Sequence, residues 1–123
     1  MSLLKNLKAL FTPAPRQDPA ACMARLRAGQ AILVDVREPG EWTGGVAERA
    51  QLLPLSDLTG ARTKWKAFLA GLGGREVMVY CASGMRSGTA ARLLANEGYR
   101  ATNTGGLGDW ANAGWKIVKP SGR

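Results

Sequence analysis

Short apolar runs alternate along this chain with segments of helical periodicity, and this alternation restricts the fold more than any other feature of the sequence. Residues 32–36 are apolar except for Asp35, and residues 77–80 form a second apolar run. Strands that are covered on both faces have this composition. The alternation of strands and helices predicts an α/β fold with an open parallel β-sheet of about five strands and helices on both faces.

Capping residues and glycines place the helices between the strands. Asp18 and Pro19 suit the N-cap and first position of a helix that ends near Gly29. One further helix is predicted from about residue 56 to 70, and another from about residue 86 to 97. The remaining strands are predicted around Pro54, where proline favours a sheet edge, and at residues 99–102, which form the last short strand. Ile117 and Val118 finish the domain.

Residues 1–17 differ in pattern from the rest of the chain. Four leucines and Phe11 recur at helical spacing over residues 3–11, with Lys5 and Lys8 opposite them, and residues 12–15 contain two prolines. We therefore predict an N-terminal amphipathic helix and Pro-rich linker in residues 1–17 and one domain in residues 18–123. Because two lysines attract lipid weakly, we expect this helix to pack on a domain or fray rather than contact a membrane.

The net charge is +8, but no aromatic-rich RNA-binding signature or block of basic residues accompanies it. We therefore expect no nucleic-acid partner, and we attribute the charge to solubility or to the attraction of small anions. No apolar run approaches the roughly 20 residues of a membrane span, and Lys5 and Lys8 interrupt the N-terminal stretch where a secretory signal would be apolar. The sequence predicts a cytoplasmic protein, in which thiols stay reduced.

The chain contains no histidine and two cysteines, Cys22 and Cys81. This composition excludes Ser-His-Asp and Cys-His catalysis, His-ligated metal centres and a four-cysteine zinc site. We expect neither a metal nor a cofactor. Cys22 shares the apolar side of the first helix, so we expect it to be a small buried residue rather than a resolving thiol.

Cys81 directly follows the second apolar run, and ligands in open parallel sheets bind beyond such strand ends. Gly84 permits a positive φ, so that successive backbone amides can turn inward as an anion nest. The following helix N-terminus and Arg86 add positive charge, and all of these features favour a thiolate. The predicted cradle for a persulfide or an oxyanion consists of Ala82, Ser83, Gly84, Met85, Arg86 and Ser87.

Four segments together resemble the rhodanese family over about residues 18–118. They are residues 33–39 (LVDVREP), Glu41-Trp42, residues 81–87 (CASGMRS), and Gly105-Gly106 with Trp110 and Gly114 after them. The resemblance implies that Cys81 accepts sulfane sulfur as a persulfide, within the cradle. It also implies that Asp35, Arg37 and Trp42 support the fold near the site, and that Trp110 is a packing residue. The chain departs from the family at Val46, where a histidine is common.

These observations predict a thiosulfate sulfurtransferase-type enzyme with a small anionic sulfur donor and an acceptor that is cyanide or a thiol, including a protein thiol. Two alternatives stay open. An arsenate reductase or phosphatase of the same fold class would place five residues between cysteine and arginine, whereas four stand between Cys81 and Arg86. A non-catalytic docking module would typically lack the cysteine, which this chain retains.

Overall fold

The computed structural model describes residues 16–120 and has the α/β architecture that the sequence predicts. Its strands are β1 Ala31–Asp35, β2 Val46–Ala47, β3 Gln51–Leu52, β4 Glu76–Cys81, β5 Ala101–Gly106 and β6 Ile117–Val118. Its helices are α1 Pro19–Arg27, α2 Pro39–Trp42, α3 Leu55–Leu58, α4 Thr63–Ala70, α5 Met85–Asn96 and α6 Leu107–Asn112.

The main sheet has four parallel strands in the order β3-β1-β4-β5. The central pair is in continuous register from Ala31 opposite Glu76 to Asp35 opposite Tyr80. As expected from Pro54, β3 lies at a sheet edge. The sheet has four strands, whereas about five were predicted.

Strand β6 forms a separate antiparallel ladder with β2, in which Val46 lies opposite Val118. Val46 occupies the position where the resemblance led us to note a missing histidine, and it is buried. The next residue, Ala47, donates its amide to Tyr80 Oη at 2.9 Å, which ties this ladder to the main sheet. The departure from the family pattern is therefore accommodated by an ordinary buried strand residue.

Two apolar layers cover the sheet, one on each face, as predicted. In β4, the side chains of Val77, Val79 and Cys81 join the layer of α3, α4 and α5, and those of Met78 and Tyr80 join the layer of α1 and α6. The alternation follows from the period of two in a strand. One fully buried tryptophan anchors each layer, Trp65 on the first face and Trp110 on the second. Burial of each tryptophan stabilises the fold by several kcal/mol, because each Å² of apolar surface removed from water contributes about 25 cal/mol.

The single helix predicted between residues 56 and 70 is wrong, because the structure contains two helices, α3 and α4. Arg62 has a left-handed backbone with φ 60° and interrupts the helical path. The Asp57 carboxylate then accepts hydrogen bonds from the amides of Lys64 at 3.0 Å and Trp65 at 2.9 Å. Asp57, which lies within α3, therefore caps the start of α4.

The amphipathic helix predicted for residues 3–11 lies outside the described residues and stays a prediction. The last two residues of the segment assigned to the linker contact the sheet: Arg16 forms a parallel bridge with Asn103, and the Gln17 amide donates to the Asn103 carbonyl at 3.0 Å. Within residues 16–120, no helix combines the length and apolar character needed to cross a bilayer.

Candidate active site

Cys81 is the last residue of β4 and stands at the carboxyl edge of the parallel sheet, where the sequence places it. The loop turns back at Gly84, which has φ 102° and is the N-cap of α5. A non-glycine residue rarely adopts this conformation. The turn brings the first residues of α5 against Cys81, whose side chain has no exposed surface.

Hydrogen bonds from the loop converge on the Cys81 sulfur. The Gly84 amide donates to Sγ at 3.0 Å, and the Ser87 hydroxyl lies 3.4 Å from it. Burial by itself raises the pKa of the Cys81 thiol, but the Ser87 hydroxyl and the amides of Ser87, Gly84 and Ser83 outweigh it and lower the pKa below its ordinary value. A thiolate at this position is stabilised without a histidine.

Replacing Ser87 with alanine is expected to raise the pKa of Cys81, because a hydrogen-bond donor to the thiolate is lost. The change is measured as the pH dependence of the Cys81 alkylation rate. Thr59→Ala is the matched control, since Thr59 carries an exposed hydroxyl that donates to the Leu55 carbonyl. An unchanged pH profile in Ser87→Ala would show that the backbone amides alone set the pKa.

Asn103 in β5 clamps this loop, and the sequence did not indicate it. Its Oδ1 accepts a hydrogen bond from the Gly105 amide at 3.0 Å, and its Nδ2 donates to the Gly84 carbonyl at 3.0 Å. Oδ1 also lies 2.7 Å from Ser87 Oγ, so Asn103 and the Cys81 sulfur share the single hydroxyl proton of Ser87. One buried amide therefore ties both groups that touch the sulfur to the neighbouring strand. The signal available in the sequence was an asparagine two positions before a pair of glycines, because a polar side chain requires hydrogen-bond partners when it is buried.

Arg86 is engaged by Glu41, so its charge does not act alone on the thiolate. The two side chains form a two-pronged ion pair, with Nη1 to Oε1 at 2.6 Å and Nη2 to Oε2 at 2.9 Å. The Arg86 guanidinium lowers the pKa of Glu41 to about 2, and Glu41 in turn raises that of Arg86. We expected a full positive charge from Arg86, whereas the structure shows a charge compensated by Glu41, whose role the sequence did not reveal.

Asp35, Arg37 and the half-buried Trp42 form a hydrogen-bonded network at the end of the neighbouring strand β1. Asp35 accepts hydrogen bonds from Arg37 Nη2 at 2.8 Å, from the Arg37 amide at 2.9 Å and from Trp42 Nε1 at 3.2 Å. Arg37 also donates to the Gly45 carbonyl at 2.7 Å. This network fixes the segment that carries Glu41, and Glu41 holds Arg86.

The other predicted cradle residues line the outside of the loop. Ala82, Ser83 and Met85 are exposed, and Met85 retains 81% of its surface at the rim. The Ala82 carbonyl packs directly against Gly106, so closely that any side chain at Gly106 would collide with it. The cradle therefore has an inner part of Gly84 and Ser87 and an outer part of small or apolar residues.

A parallel α/β sheet that carries a buried cysteine loop at its carboxyl edge defines the class of fold to which this chain belongs. Within that class, residues 18–113 match the family model of the rhodanese-like domain, and the chain belongs to this family. The family membership agrees with the resemblance noted in the sequence.

Individual relatives show the same likeness. A protein of Allochromatium vinosum named Sulfurtransferase is 36% identical over 93 residues, which are 74% of this chain and 81% of that protein. The human single-domain sulfurtransferase structure has a TM-score of 0.64 and 28% identity, over 80% of this chain and 96% of its own. A Rhodopseudomonas palustris structure described as a possible tyrosine phosphatase has a TM-score of 0.72 over 96% of this chain and 95% of its own, and its 23% identity shows likeness of fold alone.

Proposed function

We propose that this protein is a sulfurtransferase that carries sulfane sulfur as a persulfide on Cys81. The observation that carries the proposal is the convergence of the Gly84 amide and the Ser87 hydroxyl on the Cys81 sulfur. In a chain without histidine, these donors are what stabilises an anionic sulfur nucleophile. The relative named Sulfurtransferase supports the same activity for this chain.

In the first step, the Cys81 thiolate attacks the outer sulfur of a donor such as thiosulfate. A new S–S bond forms at Cys81, the donor's S–S bond breaks, and sulfite leaves with the bonding electrons. The product is a Cys81 persulfide whose outer sulfur carries the negative charge that the thiolate carried before. The inward amides that stabilise the thiolate are suited to this anion as well.

In the second step, cyanide or a thiolate attacks the outer sulfur of the persulfide. The S–S bond at Cys81 breaks, the acceptor leaves with the sulfur, and the Cys81 thiolate is restored without any oxidant or reductant. Two steps through one covalent intermediate should give ping-pong kinetics. The exposed Met85 gives the rim an apolar contact suited to a thiol on an organic molecule or a protein.

The size of the loop favours sulfur over a phosphate-like ion. Four residues separate Cys81 from Arg86, and Ala82 is pressed against Gly106 on the neighbouring strand. The loop residues include no carboxylic acid that could protonate a phosphate ester's leaving group. Because Cys81 has no exposed surface, its neighbours must also shift slightly to admit even one sulfur atom.

Intact mass spectrometry after exposure to thiosulfate tests the proposal. The protein is expected to gain the mass of one sulfur atom and to lose it on addition of cyanide, with release of thiocyanate. Hydrolysis of an aryl phosphate without any sulfur gain would replace the proposal with the phosphatase alternative. A protein that shows neither reaction would be a docking module.

A further inference from the structure

Arg16 brings a second cation to the cysteine loop from outside the family match. It precedes residues 18–113, which match the rhodanese-like domain, and its backbone pairs with β5 at Asn103. The Gln17 amide donates to the Asn103 carbonyl at 3.0 Å and fixes this segment along the strand. Asn103 is the residue that clamps the loop, so Arg16 enters the site beside the clamp.

The Arg16 guanidinium lies over two glycines of the site. A methyl group built on Gly84 would be 2.7 Å from Arg16 Nη1, and one built on Gly105 would be 3.2 Å from Nη2. Gly84 is the residue whose amide donates to the Cys81 sulfur. The guanidinium therefore occupies the space that side chains at these two positions would fill, on the surface of the loop that holds the reactive sulfur.

The charge of Arg16 is more available to a ligand than that of Arg86. Arg16 Nη2 lies 4.0 Å from the Asp109 carboxylate, and the two side chains are 57% and 50% exposed. The same Asp109 oxygen accepts the Gly106 amide at 2.7 Å. Long, exposed ion pairs of this kind are weak in water, whereas Arg86 is held by Glu41 at 2.6 Å.

We propose that Arg16 binds the oxyanion end of the sulfur donor while the donor's outer sulfur faces Cys81. This inference rests on the proposed sulfur transfer and adds the residue that recognises the anionic group of the donor. A planar guanidinium donates two hydrogen bonds to an oxyanion, and it also stabilises the charge that collects on the departing sulfite as the donor's S–S bond breaks. Donor selectivity is therefore set by a residue of the segment that precedes α1.

Paired alkylating reagents test the anion site independently of sulfur transfer. Iodoacetate and iodoacetamide are similar in size and differ in charge, and peptide mapping reports their rates at Cys81. Arg16→Gln is expected to slow iodoacetate about tenfold relative to iodoacetamide, with partial recovery in Arg16→Lys. The kcat/KM for thiosulfate should fall by a similar factor. Arg100→Gln is the matched control, since it removes the same charge from an exposed residue beside the opposite end of β5.

An iodoacetate-to-iodoacetamide ratio that is unchanged in Arg16→Gln would overturn the inference. Equal slowing of both reagents would also overturn it, because Arg16 would then only support the loop. If the wild-type protein shows an anion preference that depends on Arg16 but gains no sulfur from thiosulfate, the proposed sulfur transfer is refuted. Arg16 would then bind a different anionic substrate.

Discussion

Replacing Cys81 with serine is expected to abolish persulfide formation and to reduce thiosulfate:cyanide turnover to the uncatalysed rate. A serine hydroxyl fits the same space, but its pKa is far too high for the loop amides to create an anion from it. The variant should gain no sulfur in the mass measurement and release no thiocyanate. Turnover at the wild-type rate in Cys81→Ser would refute the assignment of the sulfur carrier.

Cys22→Ala is the matched control for this experiment, because it removes the second thiol of the chain. Cys22 is fully buried in α1, with Sγ 3.4 Å from the Asp18 carbonyl. Burial raises the pKa of Cys22, the reverse of the direction at Cys81. Cys22→Ala should therefore still form the persulfide. Loss of sulfur uptake in this variant alone would make Cys22 the carrier.

Replacing Asp35 with alanine is expected to lower the free energy of unfolding by about 3–5 kcal/mol. Asp35 has no exposed surface and accepts hydrogen bonds from Arg37 and Trp42. Without its carboxylate, the Arg37 guanidinium remains buried with an uncompensated charge. Urea denaturation measures the loss, with the slope of the transition as a check that the unfolded state is unchanged.

Glu97→Gln is the control for the effect of burial, because it breaks an ion pair of similar geometry at the surface. The Arg62 guanidinium donates two hydrogen bonds of 2.7 Å to the Glu97 carboxylate, but the two side chains are 34% and 33% exposed. Solvent screening should limit the loss there to about 1 kcal/mol or less. Equal losses in the two variants would show that burial does not account for the importance of Asp35.

The parts of the site that are contiguous in sequence could be predicted. Cys81, Gly84 and Ser87 belong to one strand end, one loop and one helix start, so their order along the chain specifies their proximity. The alternation of apolar runs and helices likewise predicted the parallel sheet, because each crossover is a local unit. The antiparallel pair of β2 and β6 was missed, since pairing between short distant segments leaves no periodic signal.

The parts that depend on contacts between distant segments could not be predicted. Glu41 meets Arg86 across 45 positions, and Asn103 meets Ser87 across 16. The polar and glycine-rich stretch 103–106 has a composition typical of a turn, and we predicted that the last sheet strand ends at residue 102. In the structure it continues β5, because Thr104 donates to the Val79 carbonyl at 2.8 Å and Asn103 bonds the loop.

The Asn103 clamp couples the length of the cysteine loop to a strand that is remote in sequence. Inserting one residue between Cys81 and Arg86 would enlarge the cysteine loop for a tetrahedral oxyanion. The same insertion would displace the Gly84 carbonyl from the Asn103 side-chain amide. The bond between Ser87 and Asn103 would have to re-form in a new register. Changing this loop from one that fits a sulfur atom to one that fits a phosphate-like ion therefore requires paired changes in two segments. Variants with a single inserted residue should be inactive.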